Sequence, residues 1–184
     1  MAGPVSRREA ALEKWLLVFL LFSGAGWVWE VALTALTQGR WVNRGMLRGP
    51  WLPVYGVGGA ALCALLVRLR RRWAAPLVGA LAGGLLEYGT ALALELLFRQ
   101  RWWDYTGWAG SIQGRGCLAS LAGFALAGWM LMRLAPRVLE RVERMPPGLR
   151  TALCRGVCLA FALDWSFSLL RPNMGAGITC PLGP

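Results

Sequence analysis

Histidine is absent from this sequence, and lysine occurs only once, at Lys14. The lack of histidine removes the commonest metal ligand and the usual proton carrier at neutral pH. Lys14 has no glycine-rich run beside it, so the chain has no phosphate-binding P-loop, and any ATP-driven activity would need a separate ATPase chain. No nucleophile–base pair and no metal-ligand spacing is present. We therefore expect no enzyme, no catalytic residues, no cofactor and no metal site.

Charged residues are also scarce, at 16% of the chain, whereas 57% of the residues are hydrophobic and the mean hydropathy is +0.48. A soluble domain of 184 residues would be markedly more polar, so the composition indicates an integral membrane protein. The net charge of +11 could suggest nucleic acid as a partner. However, the arginines flank the apolar segments, as membrane topology signals do, and we expect no nucleic-acid binding.

Five segments have the roughly 17–25 apolar residues that cross the hydrocarbon layer, and each should be helical because lipid offers no partner for backbone polar groups. The sequence therefore predicts a single all-α domain, a polytopic transmembrane bundle. The five predicted spans are residues 15–37, 51–69, 75–98, 117–134 and 149–170.

Arginine and lysine are more frequent at the N-terminus and in the 68–75 and 133–150 loops than in the other loops. By the positive-inside rule, the N-terminus faces inside and the C-terminus outside in a multi-pass protein of the plasma or inner membrane. Residues 133–145 carry an apolar stripe between arginines and predict an amphipathic helix on the inner leaflet. The tail, 171–184, is rich in Gly and Pro and is expected to be irregular.

Four carboxylates lie within the apolar spans, at Glu30, Glu87, Glu95 and Asp164. Ionisable groups in hydrocarbon are costly and are therefore candidates for function. Spans one, three and five should run in the same direction, so Glu30, Glu95 and Asp164 should fall in the outer part of the membrane and Glu87 near its middle. Together they would form one outward-facing polar cluster. In span three, Gly79-x-x-x-Gly83 predicts a close helix contact on the same face as Glu87.

The two predicted outer loops, 38–53 and 99–117, bring further polar groups to the same side. Arg44 and Arg48 could bind an anionic group or could fasten the glycine-rich first loop to the bundle. In the second loop, Asp104 needs a partner, whereas most of the neighbouring aromatics are expected in an interfacial belt. The predicted pocket consists of Glu30, Glu87, Glu95, Asp164, Arg44, Arg48, Arg115, Asp104, Asn43, Tyr55 and Tyr88. Cys117 and Cys180 both fall on this side, and whether they pair stays open.

Several motifs together resemble a known family. They are G-W-x-W-E at 26–30, N-R-G-x-L-x-G-P-x-x-P-x-Y-G at 43–56, E-Y at 87–88, W-W-D-Y at 102–105, G-R-x-C-L at 114–118 and D-x-x-x-S at 164–168. In this combination the chain resembles the putative ABC-transporter type IV (CmpB-like) permeases, which are small polytopic membrane proteins. The resemblance implies a permease without assigning a substrate or catalytic residues, and Gln113 departs from the family pattern.

Two functional hypotheses follow. In the first, the chain is a permease that binds or moves a small solute or ion through an outward-facing pocket of carboxylates and arginines. In the second, it is a non-transporting scaffold or accessory subunit whose salt-bridged outer loops bind a protein or lipid. The partners expected under either hypothesis are the lipid bilayer, a separate ATPase or other membrane subunit, and a second copy of the chain.

Overall fold

The computed structural model describes residues 6–175 and 177–181, and these form a bundle of five α-helices. The helices are α1 (Arg7–Gln38), α2 (Pro53–Arg68), α3 (Ala75–Phe98), α4 (Leu118–Glu143) and α5 (Pro147–Leu170). Two strands of two residues, β1 (Gln100–Arg101) and β2 (Cys180–Pro181), pair antiparallel. The all-α fold class predicted from the sequence is confirmed.

Four helices, α1, α3, α4 and α5, are long and apolar enough to cross a membrane. The fourth predicted boundary changes because α4 continues through Pro136 to Glu143. The segment expected to be a separate surface helix, 133–145, is therefore mostly the last part of α4. Helix α2 is apolar but has only 16 residues. At 1.5 Å per residue it is about 24 Å long, shorter than the ~30 Å hydrocarbon layer.

Helix ends follow local sequence rules. Ser6 and Glu9 form a reciprocal capping box at the start of α1, and Gly39 ends that helix in the left-handed region with φ of +65°. Pro53 begins α2, where a missing N–H costs nothing because the first amides of a helix have no partner within it. Pro76 and Pro147 likewise lie in the first turns of α3 and α5, and α2, α3 and α5 have boundaries close to the predicted ones.

Neighbouring helices α1 and α2 run antiparallel, because Gly26 faces Tyr55 while the earlier Phe22 faces the later Gly59. Helices α3 and α4 are likewise antiparallel. In contrast, α1 and α5 run parallel, since Glu13 accepts a hydrogen bond from Arg150 and Phe19 packs on Phe161. This alternation collects residues 39–52, 99–117, 171–175 and 177–181 at one end, which we call the loop-rich end. Which side of a membrane it faces stays a prediction.

The closest helix contact joins α3 to α4 through glycines. A Cβ atom added at Gly79 would lie 2.4 Å from the backbone oxygen of Phe124 and 2.8 Å from the Cα of Gly128. The contact predicted from Gly79 and Gly83 is thus present. Its partner surface is Gly128 and Phe124, whereas Gly123 on the same helix is exposed, with nothing within 4 Å of an added Cβ. Small residues allow this approach where helices have little hydrophobic drive to associate.

Candidate functional site

Glu30 on α1 is held by two groups from other parts of the chain. The hydroxyl of Tyr55 donates a hydrogen bond of 2.5 Å to Oε1, and Nε of Arg44 lies 4.0 Å from Oε2. Gly26, one turn before Glu30, makes room for the ring, since a Cβ there would lie 2.3 Å from Cγ of Tyr55. The sequence-predicted residues Glu30, Tyr55 and Arg44 therefore meet.

Glu87 on α3 is the more isolated carboxylate. Its residue is 8% exposed, and Oε1 accepts a 3.0 Å hydrogen bond from the hydroxyl of Tyr105. Oε2 is buried and has no hydrogen-bond partner, and no cation lies within 4.0 Å of either oxygen among the described residues. The nearby Ser120 hydroxyl donates instead to the carbonyl of Cys117, at 2.9 Å. A buried carboxylate oxygen without a partner is costly, so this group calls for a function.

Both carboxylates line one cavity of about 440 Å³ between α1, α2, α3 and α4. Trp102, Trp103 and Tyr105 close it at the loop-rich end. Most of its wall is apolar, with a few polar groups, which is the usual make-up of a binding site for a small molecule. The polar side chains in its lining, besides the indole rings, are Glu30, Glu87, Arg44, Tyr55 and Tyr105.

Glu95, two turns beyond Glu87, lies in a separate charged network. Arg115 donates to its Oε2 at 2.6 Å, and Nε of Arg101 lies 2.8 Å from Oε1 as an ion pair, although its N–H does not point at that oxygen. Arg115 also contacts Tyr88 and Gln113. Two arginines thus compensate the charge of one buried carboxylate. Together they hold the second connection, residues 99–117 between α3 and α4, against α3.

Asp104 belongs to the same network through Arg101, whose Nη1 lies 3.3 Å from Oδ1. Thr106 donates to that oxygen from its hydroxyl at 2.6 Å and from its amide at 2.9 Å. These hydrogen bonds, more than Arg101, lower the pKa of Asp104 below its ordinary value. Asp104 does not line the cavity.

Asp164 on α5 lies at a third place, where it holds the first connection, residues 39–52 between α1 and α2. We call the Glu30–Glu87 cavity, the Glu95 network and Asp164 with its partners the three stations. Its Oδ2 accepts hydrogen bonds of 3.0 Å from the amide of Gly49 and from the indole of Trp51. Arg48 donates to the carbonyl of Arg171 instead of reaching an acid. Asn43 bonds to Trp27 and to the carbonyl of Arg48. Through these contacts the three residues fasten the loop, which is the structural alternative given above for Arg48.

The four acids expected in a single cluster do not all line one pocket, because they have different partners at three stations. Whether any of them binds a ligand stays a prediction. Only Glu30, Glu87, Arg44 and Tyr55 of the predicted pocket line the cavity. The other seven, Glu95, Asp164, Arg48, Arg115, Asp104, Asn43 and Tyr88, hold the two connections. Helical periodicity predicts the face of the helix on which each acid lies. It carries no information about which loop residues contact that face.

The sequence did not indicate Tyr105, Trp102 and Trp103 as site residues, because aromatics near a span end are typical of an interfacial belt. The structure places all three in the cavity wall, and Trp102 is buried. Trp41, Trp73 and Trp108 are exposed, as a belt requires. The available signal was the run W-W-D-Y itself, which places the hydroxyl of Tyr105 close in sequence to two rings that favour burial.

Two further expectations concern sulfur and metals. Cys117 is buried and Cys180 is exposed, and both are free thiols. Among the described residues, no group of three His, Cys, Asp or Glu side chains could hold a metal ion.

The tail expected to be irregular includes β2, and Asn173 in it donates to the carbonyls of Asn43 and Gly45.

Long apolar helices and carboxylates enclosed between them define a polytopic α-helical membrane protein. Within that class, the chain belongs to the family described as "Putative ABC-transporter type IV", whose model matches residues 17–169. The match covers most of the chain and includes all three stations. No curated protein and no solved structure matches the chain.

Proposed function

We propose that the protein is a permease, or the membrane subunit of one, that binds a small cation in the cavity, with Glu87 as the anchoring group. The observation that carries this proposal is the buried, unpartnered Oε2 of Glu87 in a cavity of about 440 Å³. Glu30 already has Arg44 and Tyr55 as partners, so Glu87 is the group that an incoming cation would satisfy.

Transport by this chain would require a second component. Five helices around a single cavity form a thin transporter, and alternating access needs one part of the protein to move against another. We propose that a separate ATPase, another membrane subunit or a second copy of the chain supplies that part. The family name suggests such an association. On this proposal the protein works in the cell membrane and catalyses no covalent chemistry.

Binding can be tested without a partner by equilibrium dialysis of radiolabelled guanidinium against the purified protein in lipid nanodiscs. Guanidinium is a permanent cation with N–H donors, which suits a carboxylate oxygen that lacks a donor. We expect saturable binding near one ion per chain, weakened at least tenfold in Glu87→Gln. Glu140→Gln is the matched control, because Glu140 pairs with Arg144 on the exposed side of α4.

Proteoliposome uptake of the same ion extends the test to transport. The proposal fails if Glu87→Gln binds guanidinium as the unaltered protein does, or if the unaltered protein shows no saturable binding. Gel filtration and thermal unfolding establish that each variant is folded. The scaffold hypothesis has its own support in the Glu95 network, whose charges are satisfied and fasten a loop. The scaffold hypothesis would gain support if substitution of Arg115 released a bound partner protein while guanidinium binding persisted.

A further inference from the structure

The cavity is polar at one end only. Glu30, Arg44, Tyr55 and Tyr105 lie toward the loop-rich end, and Oε2 of Glu87 points to Gly116, just before α4 begins, where an added Cβ would lie 3.5 Å from it. Away from that end, the wall is formed by apolar side chains. They are Phe22, Leu62, Phe124, Leu131 and Leu134.

The apolar part is elongated along the helices. On α4 its wall extends from Phe124 to Leu134, which at 1.5 Å per residue is about 15 Å. This length follows the helix axes from the carboxylates toward the other end of the bundle. A hydrated ion would use only the polar end and would leave this stretch of wall without a matching partner.

The cavity also opens to the side of the bundle. Trp29 on α1 is 60% exposed, and Met130 and Leu134 on α4 are 46% and 42% exposed, yet all three line the cavity. Large apolar side chains exposed along helices of this length face the acyl chains of a bilayer. A molecule already dissolved in the bilayer could therefore enter between α1 and α4 without leaving the hydrocarbon layer.

The charges of the polar end define the head of such a molecule. Two carboxylates, Glu30 and Glu87, face one guanidinium, that of Arg44. When both carboxylates are ionised, the balance leaves one negative charge, and Oε2 of Glu87 lacks a hydrogen-bond donor. A head with one positive charge and at least one N–H group would satisfy both deficits.

We propose that the occupant of the cavity is a single-chain amphiphile from the bilayer, with a cationic head that bears N–H donors. This inference rests on the proposed function and names its substrate class. The head binds Glu87 near Tyr105, and the hydrocarbon tail lies along α4 toward Leu134. The side opening between Trp29 and Met130 is the entrance.

A photoreactive probe tests this arrangement in nanodiscs of zwitterionic lipid. The probe is dodecylguanidinium with a diazirine at the last carbon of the chain, and crosslinked peptides are identified by mass spectrometry. We expect crosslinks concentrated at residues 130–134 of α4. Excess unlabelled dodecylguanidinium should suppress them at least tenfold, whereas dodecanoate, with the same tail and an anionic head, should not. This competition uses the unaltered protein and needs no variant.

Two variants test the head and the tail. Glu87→Gln should abolish the concentrated crosslinks. Ala127→Phe, which adds a ring to the apolar wall of the cavity, should also abolish them. Leu126→Phe is the matched control, because Leu126 is exposed and does not line the cavity. Thermal unfolding confirms that each variant is folded.

Each contrary result has a distinct meaning. Crosslinks spread evenly over the exposed helix faces, without competition, would overturn the amphiphile proposal. If guanidinium binding still depended on Glu87, the proposed function would stand and only the substrate class would be wrong. If neither probe depended on Glu87, both proposals would fail.

Discussion

The glycine contact between α3 and α4 allows one prediction with a matched control in the same helix. In Gly79→Ala, the new methyl group would meet only backbone atoms of Phe124 and Gly128, the nearest at 2.4 Å. Backbone atoms cannot rotate away as a side chain does, so the two helices must separate. In Gly89→Ala, the methyl group meets nothing within 4 Å on an exposed face.

The expected energies have opposite signs. Overpacking costs about 3 kcal/mol at the upper end of its usual range, while replacing a helical glycine by alanine gains about 1 kcal/mol. Gly79→Ala should therefore lower the free energy of unfolding by about 2 kcal/mol, and Gly89→Ala should raise it by about 1 kcal/mol. Because Glu87 lies two turns beyond Gly79, the first variant should also weaken guanidinium binding.

Reversible unfolding in mixed micelles, followed by circular dichroism, measures both variants against the unaltered protein. The decisive quantity is the difference between them, about 3 kcal/mol, since their unfolded chains have the same composition. A difference below about 1 kcal/mol, or a stabilised Gly79→Ala, would show that α3 and α4 do not pack through these glycines.

Two further predictions concern the loop-rich end. Hydrogen bonds from Thr106 lower the pKa of Asp104 in the folded protein. They therefore stabilise the folded state fully above the unfolded pKa of about 3.9, and this stabilisation is lost as the pH falls through the lower folded pKa. On acidification below about pH 4, the unfolding temperature of Asp104→Asn should therefore fall less than that of the unaltered protein. An equal or larger fall would contradict the role given to the Asp104 carboxylate. Exposed Cys180, as the only cysteine of a variant, should react with a membrane-impermeant maleimide on intact cells. A variant whose only cysteine comes from Arg71→Cys, at the opposite end, should react only after permeabilisation. Reaction at position 71 on intact cells, with Cys180 reacting only after permeabilisation, would show that the predicted orientation is wrong.

The helices themselves could be predicted from local sequence. Helix α3 begins and ends at the predicted residues, 75 and 98, because an apolar run in lipid has no backbone alternative to the helix. The continuation of α4 past 134 was missed because the apolar stripe between the arginines of 133–145 suggested a separate helix on the membrane surface. A proline inside a helix removes one hydrogen bond without necessarily ending the helix.

The loops required more than sequence. Arginines beside Asp104 and Glu95 made an ion-pair network predictable, and Arg101 and Arg115 do form it. The clamp between Asp164 and Gly49 joins residues far apart in the chain, through a backbone amide that no composition pattern marks. Such contacts depend on how α5 lies against the first connection.

The sequence by itself determined a membrane-embedded helical bundle with acids inside its spans, because hydropathy and helical period are local properties of the chain. The tertiary structure decided that these acids divide among three stations. Tyr105 contacts Glu87 and leaves its second oxygen without a partner, while two arginines compensate Glu95. The physical reason is that a carboxylate's environment consists of groups from other helices and loops, and their positions are set only when the helices pack.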